Sequence, residues 1–206
     1  MDKNRLPEPF FIADHRALDF LNSVCAPWKD EIEWIGNGDA FLEWLYKAGM
    51  IPMEIAARYK KEYSAEVMDN IATQARDLRE YFREFILSHA GHPLDGSALT
   101  ALSRLNQLLT KDHQYQQIKV EQSGFSLQAQ QKRHWNNAED LLLPLANAMA
   151  NLVCTADFTH IKNCEGPTCS LWFLDMSKNH KRRWCTMDVC GNRAKAAAHR
   201  ARQKDK

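Results

Sequence analysis

The sequence predicts an α+β fold: a mainly helical N-terminal domain with a few strands and a hairpin, followed by a small cysteine-rich module. Two observations support this prediction. Apolar residues recur every three or four positions over several long segments, and four of the six cysteines lie in two close pairs in the last quarter of the chain. With 206 residues, 45% hydrophobic and 26% charged, the composition is that of a globular protein with one sizeable core.

The first predicted elements are short. The segment ALDFLNS, residues 17–23, has apolar residues that fit either a buried strand or the start of a helix, and their period does not separate the two. A helix is predicted to run from Asp39, as its N-terminal cap, to Lys47, with Gly49 just past its end. Pro52 then opens a short helix at the first turn, where its missing N–H costs nothing.

The middle of the chain carries the clearest helix. From about Ser64 to His89, eight apolar residues recur at three- and four-residue steps, and Gly91 and Pro93 stop the pattern. Another helix, rich in leucine, is predicted to start at residue 95 or 97.

A change of period marks the next two elements. Between Tyr115 and Gln130 the apolar period changes to two, with Gly124 at the turn, which predicts a β-hairpin. A last helix of this domain is predicted from about Asn136 to Val153.

The chain divides into an acidic body and a basic module near Phe158, so we predict domains at residues 1–157 and 158–206. Residues 160–206 carry a net charge of +7 and the first 159 residues a net charge of −6. This asymmetry is typical of a protein that meets a polyanion, although a solvated basic terminus has the same charge.

No long linker separates the parts, so we expect them to pack together. We also expect the body to fold alone unless the apolar run 171–174 completes its core.

Membrane insertion is not expected. No apolar run approaches the roughly 18 to 20 residues of a membrane helix, and the first residues lack the apolar stretch of a signal peptide. We therefore expect a cytoplasmic protein.

The cysteine spacing predicts a metal site. Each of two pairs has four residues between its members, and fifteen residues separate the pairs: Cys164 and Cys169, then Cys185 and Cys190. Cytosolic thiols stay reduced, so the pairs favour a metal over disulfides, and four thiolates are a usual tetrahedral set for Zn²⁺. An iron–sulfur cluster is the minor alternative. Four protein sulfurs leave no open position, which predicts one structural zinc ion per chain.

The residues after Cys190, GNRAKAAAHRARQKDK, predict a basic helix that suits duplex DNA. Expected phosphate contacts come from five residues: Arg182, Arg183, Lys195, Arg200 and Arg202. Asn192, Arg193 or His199 are candidates for base contacts, and Asn192 is also a candidate helix cap. A solvated cationic helix and an RNA-binding or protein-docking module are the alternatives. A lone finger binds weakly, so the DNA hypothesis implies a homodimer or extra contacts from the body.

These strings carry a family resemblance. The sequence CGNR at 190–193, preceded by RRWC and followed by AKAAAHRARQ, resembles the CGNR zinc finger, a treble-clef-like module at the C-terminus of bacterial proteins. CEGPTCSLWFLDMS is similar to the first cysteine pair of that family and the strand that follows it. The upstream body, with ALDFLNS and a long helix containing Leu78 and Arg79, is similar to the ABATE domain that usually precedes this finger.

The resemblance implies a stress-responsive transcription regulator. Its finger would bind DNA and hold zinc on Cys164, Cys169, Cys185 and Cys190, while its N-terminal domain would sense a small-molecule effector. The family contributes no catalytic residues.

The competing hypothesis is a small-molecule-binding protein or an enzyme that uses zinc only structurally. Its candidate ligand contacts are five residues of the body: His15, Asp19, Asn22, Trp44 and Arg79. Each of these is more often a capping or core-polar residue than a ligand contact. The sequence contains no Gly-rich phosphate loop, nucleophile elbow or zinc-protease helix motif, so we predict that the protein is not an enzyme.

Overall fold

The computed structural model describes residues 7–27, 30–121 and 124–204, and within them the fold is α+β, as predicted. The α-helices are α1 (Arg16–Leu21), α2 (Gly38–Lys47), α3 (Met53–Glu62), α4 (Ala65–His89), α5 (Ser103–Leu109), α6 (Leu143–Thr155) and α7 (Asn192–Lys204). The strands are β1 (Val24–Cys25), β2 (Ile32–Glu33), β3 (Gln114–Val120), β4 (Leu127–Arg133), β5 (Ile161–Asn163) and β6 (Trp172–Leu174). They pair as three antiparallel two-stranded sheets, β1–β2, β3–β4 and β5–β6.

The ambiguous segment ALDFLNS forms a helix. The His15 side chain caps α1 by accepting a hydrogen bond from the Ala17 N–H at 3.2 Å, and the apolar side chains of α1 are buried. The short ribbon β1–β2 follows directly.

Helix α2 begins two residues earlier than predicted. Its cap is Asn37, which accepts a hydrogen bond from the Ala40 N–H at 2.9 Å, so the predicted cap Asp39 was wrong. Asp39 lies exposed in the first turn and pairs with Lys60 at 3.0 Å. Gly38 fits here because a Cβ at this position would lie 2.3 Å from the Met68 Cβ. The start of α2 therefore packs tightly against α4.

Helix α4 is the central element, and its predicted bounds are confirmed. Ser64 caps it through the Val67 N–H, and its buried face contacts α1 and α2. Arg79 is buried on this face and donates to both carboxylate oxygens of Glu33, at 3.0 and 2.7 Å, and to Ser23 at 2.9 Å. A buried guanidinium needs such partners, because an unpaired buried charge is strongly destabilising.

The predicted leucine-rich helix is divided into two parts. Asp95 caps a 3₁₀ segment, residues 96–102, which continues into α5. The hairpin is confirmed, with Val120 opposite Leu127 and Gly124 at a φ of +77° in the turn. The last helix of the body is also preceded by a 3₁₀ turn, residues 138–142, capped by Asn137.

One apolar core joins the body to the cysteine-rich module. Phe158, Leu171 and Phe173 of the module are buried in the same cluster as the apolar residues of α1 and α4. Strand β6 lies against α1, and the Leu174 N–H donates to the Ala13 carbonyl at 2.9 Å. The expectation that the two parts pack together is therefore confirmed, and the apolar run 171–174 does contribute to the core of the body.

Among the described residues, no helix is long and apolar enough to cross a membrane.

Candidate metal centre

The four paired cysteines lie together in a buried cage. Their Sγ atoms are all within 4.8 Å of one another, and the Cys169 and Cys185 sulfurs are 4.0 Å apart. A tetrahedral zinc site with bonds of about 2.3 Å has sulfur–sulfur edges of about 3.8 Å. The spacing of the four sulfurs thus fits one tetrahedrally coordinated ion, whereas the cysteine sulfurs around a polynuclear cluster are farther apart.

The first pair is held by a tight turn after β5. The Cys164 N–H donates to the Leu171 carbonyl at 2.9 Å, and the Cys169 N–H donates to the Gly166 carbonyl at 3.0 Å. A Cβ on Gly166 would lie 3.0 Å from the Cys169 Cβ and 3.1 Å from the Cys190 Sγ. A glycine therefore lets this turn close around the cage.

The second pair spans a π-helical turn, residues 187–191. The hydroxyl of Thr186 caps this turn by accepting from the Val189 N–H at 3.0 Å, and the Thr186 carbonyl accepts from the Gly191 N–H at 3.0 Å. A Cβ on Gly191 would lie 2.5 Å from the Met187 Sδ. The wide turn aims Cys190 at the cage and leads directly into α7.

The four thiols shift one another's pKa values through hydrogen bonds. Hydrogen bonds from Cys169 and Cys185 lower the pKa of the Cys164 thiol, which also accepts the Cys185 N–H at 3.2 Å. The same thiol–thiol bonds raise the pKa of Cys169 and Cys185, and burial raises that of Cys190. Four thiolates need positive charge at their centre, which a dication supplies.

This donor set fits zinc. The four buried sulfurs can hold one zinc ion, which confirms the predicted cofactor. Among the described residues, they form the one cluster of cysteines of this kind. Cys25, buried in the body, and Cys154, exposed on α6, lie outside the cage.

Arg182, which the sequence predicted as a phosphate contact, has its partners within the chain. Its guanidinium hydrogen-bonds Asp14 and the carbonyls of Ile12 and Cys185, and it stacks over the Phe173 ring at 4.2 Å. These partners belong to the segment before α1, to β6 and to the second cysteine pair. Arg182 therefore joins the body, the sheet and the metal cage.

Asn22 makes a second connection between the body and the finger. Its side-chain amide accepts from the Trp172 N–H at 2.9 Å and donates to the Trp172 carbonyl at 2.8 Å, in the manner of a neighbouring strand. Farther along, the Ala26 N–H donates to the Ser170 hydroxyl at 2.8 Å. The docking of β6 on the body thus uses directed bonds as well as apolar contacts.

A buried carboxylate orders the loop between the two cysteine pairs. Asp175 is fully buried and accepts from the Lys162 ammonium at 2.7 Å, the Ser177 hydroxyl at 2.5 Å and the Arg182 N–H at 2.9 Å. Burial alone would raise the pKa of Asp175, but these hydrogen bonds outweigh it and hold the pKa below its usual range. The carboxylate stays ionised and fixes the chain that leads to Cys185.

The other predicted DNA contacts lie at the surface. Six of them are exposed along α7: Asn192, Arg193, Lys195, His199, Arg200 and Arg202. Arg193 also donates to the Pro27 carbonyl at 3.1 Å. Arg183 is exposed, pairs with Glu165 at 2.7 Å and lies over the Trp184 ring. Helix α7 continues directly from the π-helical turn that carries Cys190, so the metal cage sets where this cationic surface begins.

The structure gives each predicted ligand contact a role in the fold. His15 caps α1 and its Nε2 lies 3.0 Å from the Asn151 Oδ1; Asp19 accepts the Ala13 N–H at 3.1 Å. The Trp44 ring packs between two phenylalanines, while Asn22 and Arg79 have the partners given above. Surface cavities of about 550 and 510 Å³ lie elsewhere, one at residues 93–102 and 153–158, the other between α2 and α3. A ligand site at the five residues stays a prediction.

Sequence reasoning missed four residues that shape the cage: Gly166, Thr186, Gly191 and Asp175. The two glycines had a usable signal, because each lies within two residues of a paired cysteine and glycine suits the tight turns that such pairs need. Asp175 and Thr186 had none, since their importance depends on burial and on partners distant in the sequence.

Comparison with known families agrees with this geometry. Residues 160–203 match the CGNR zinc finger, and residues 14–156 match ABATE, a family described as "putative stress-induced transcription regulator". The second match covers about two thirds of the chain, and together the two confirm the arrangement that the sequence resembled. No curated protein matches the chain at a significant level.

Proposed function

The chain belongs to the ABATE family and carries a CGNR zinc finger, and from this premise we propose that it is a transcription regulator that binds duplex DNA through α7. One observation carries the proposal. Helix α7 contains five basic residues and no acidic one, most of its described side chains are exposed, and it continues from the turn that carries the zinc ligand Cys190. A rigid cationic helix suits the phosphate backbone, which supplies most of the affinity of such proteins.

The arrangement of residues around α7 supports entry into a groove. At 100° per residue, Arg193 and Arg200 share one side of the helix, and Lys195 and Arg202 share the opposite side. Between these two sides lies an exposed face with four residues: Asn192, Ala196, His199 and Gln203.

This face has the composition of a base-contacting surface. Asn, Gln and His carry donors and acceptors that match base edges in the major groove, which admits one α-helix. The two basic sides would then meet the phosphates of the two strands that border the groove. Gln203 joins Asn192 and His199 as a candidate base contact, while Arg182 is withdrawn from the phosphate contacts.

We propose that the protein acts by binding and not by catalysis, because four sulfurs fill the zinc site and leave no position for a substrate. Sensing of a small molecule by the body stays a prediction. A single α7 reaches few phosphates, so the proposal includes a second copy of the chain on the same DNA.

Fluorescence anisotropy over a salt series tests the proposal. About four to six phosphate contacts from each bound chain predict that each chain contributes about −4 to −5 to the log–log slope of binding against salt. Replacing Arg200 and Arg202 by Ala should weaken binding and make this slope shallower by about 2 for each bound chain. The matched control replaces Lys60 and Lys61 of α3 by Ala, which removes the same charge from the body and should change neither quantity.

Competition at one salt concentration identifies the nucleic acid. Duplex DNA should displace the labelled duplex more strongly than single-stranded DNA or RNA does. Equal weakening by both double substitutions, or preferential displacement by RNA, would refute DNA binding through α7.

A further inference from the structure

The β3–β4 hairpin exposes an unusual amount of apolar surface. Every residue of β3 is exposed, and the side chains near the tip are largely accessible, with Ile118 and Leu127 at 72%, Val120 at 60% and Phe125 at 97%. Most large apolar side chains of the body lie in the core. The concentration of exposed apolar side chains on this one ribbon therefore calls for a physical explanation.

The register places these residues on one face. Val120 lies opposite Leu127, and Ile118 lies opposite Ala129, so all four side chains point to the same side. The alternate positions form a polar face with six residues: Tyr115, Gln117, Lys119, Gln128, Gln130 and Lys132. Antiparallel sheets with this alternation usually have their apolar face packed against another element.

The hairpin is anchored firmly at its base. Arg133 donates to both carboxylate oxygens of Asp112, at 2.6 and 2.9 Å, and Asn147 of α6 donates to Asp112 at 2.5 Å. Nearer the tip, Ile118, Val120 and Leu127 keep 60–72% of their surface exposed, and an isolated two-stranded ribbon is at best marginally stable in water.

We propose that the apolar face of the hairpin is a dimer interface that packs against the same face of a second copy of this chain. The four residues Ile118, Val120, Leu127 and Ala129 carry no charge, so two-fold pairing brings no like charges together. With Phe125, which lies in the bend outside the strand register, they expose on the order of 500–600 Å² per copy, so complete pairing buries at most about 1,000–1,200 Å², the size at which specific interfaces begin.

This assignment depends on the hairpin alone. Its consequence for DNA, that a dimer presents two α7 helices to one duplex, rests on the proposed function. The hairpin and the metal cage are separate in the sequence and in the fold, so dimerisation and DNA binding can fail independently.

Sedimentation equilibrium of the zinc-loaded full chain tests the interface. The dimer of the wild type should become populated as the protein concentration rises from about 1 to 200 µM, the range expected for an interface of minimal size. Substituting Val120→Glu and Leu127→Glu should raise the dimer dissociation constant by on the order of 100-fold, because each change occurs twice in a two-fold interface. The control, Gln117→Glu with Gln130→Glu, puts the same charges at an opposed pair on the polar face and should leave the dimer unchanged.

A milder variant and a second measurement guard against misfolding. Val120→Thr with Leu127→Thr keeps β-strand propensity and should also yield monomers, with unchanged zinc content and circular dichroism. In wild type, amide hydrogen exchange at residues 114–133 should slow as the protein concentration rises. A monomeric wild type, or a dimer that persists equally in the apolar-face variants, would overturn the proposal.

Discussion

The body and the finger reach an ordered structure by different means. The body buries nine residues along α4 alone, and its helices cover one another's apolar faces. The finger has two strands of three residues each and relies on four thiolates around one ion. The hydrophobic effect stabilises the first, whereas metal binding supplies the folding free energy of a segment too small for its own core.

The boundary between these two kinds of stability does not coincide with the sequence boundary near Phe158. The strands β5 and β6 share the core of the body through Phe173 and Leu174, and Asn22 holds β6 by two hydrogen bonds. The second cysteine pair and α7 reach the body through fewer contacts, chiefly the hydrogen bonds of Arg182 to Asp14 and Ile12 and of Arg193 to Pro27. We therefore expect one half of the finger to fold with the body and the other half to depend on zinc.

The largest expected effect comes from removing one zinc ligand. Replacing Cys185 by Ser should abolish zinc binding, since the loss of a thiolate forfeits much of roughly 10–16 kcal/mol of metal-binding free energy. The second cysteine pair and α7 should unfold while the helices of the body persist. Elemental analysis measures the metal, and NMR measures which residues lose their order.

The chain supplies a matched control for this experiment. Cys154→Ser is the same chemical change at an exposed cysteine outside the cage and should keep one zinc ion per chain. A full zinc complement in the Cys185 variant, or collapse of the whole body with the finger, would contradict the account.

A smaller effect is expected at the shared core. Leu174 is buried although it belongs to the finger, so Leu174→Ala should lower the free energy of unfolding of the whole chain by about 2–4 kcal/mol. Leu87→Ala on the exposed side of α4 makes the same change at a side chain that is 62% accessible and should have little effect. Denaturant unfolding followed by circular dichroism measures both.

The form of this transition also matters. A single cooperative transition with a lower midpoint is expected for Leu174→Ala, because β6 and the body unfold together. If the helices of the body unfold at an unchanged midpoint, the body and β6 are separate units, as expected for a body that folds alone.

Local chemistry made part of this structure predictable. The spacing of the cysteines predicted the cage, and the three- and four-residue period predicted α4 from its cap at Ser64 to its end. The start of α2 was harder to predict, because both Asn37 and Asp39 are good cap residues. The packing of Gly38 against Met68 selects Asn37.

Long-range contacts explain what was missed. Arg182 has the sequence environment of a phosphate contact, and only the fold brings Asp14 and the Phe173 ring to it. In the same way, the alternating pattern of the hairpin predicts an apolar face but does not say whether the body covers that face. Sequence periodicity specifies elements, and the partners of each face depend on tertiary packing.

In the function proposed above, zinc holds α7 in the position that binds DNA. Fluorescence anisotropy of one labelled duplex with wild type, Cys154→Ser and Cys185→Ser tests this most directly, since none of these changes alters the charge of α7. The account predicts equal affinity for the first two proteins and at least about tenfold weaker binding by Cys185→Ser, as an unordered segment pays its ordering cost on binding. Equal affinity in all three would show that charge alone binds DNA and that the zinc-braced helix has no part in recognition.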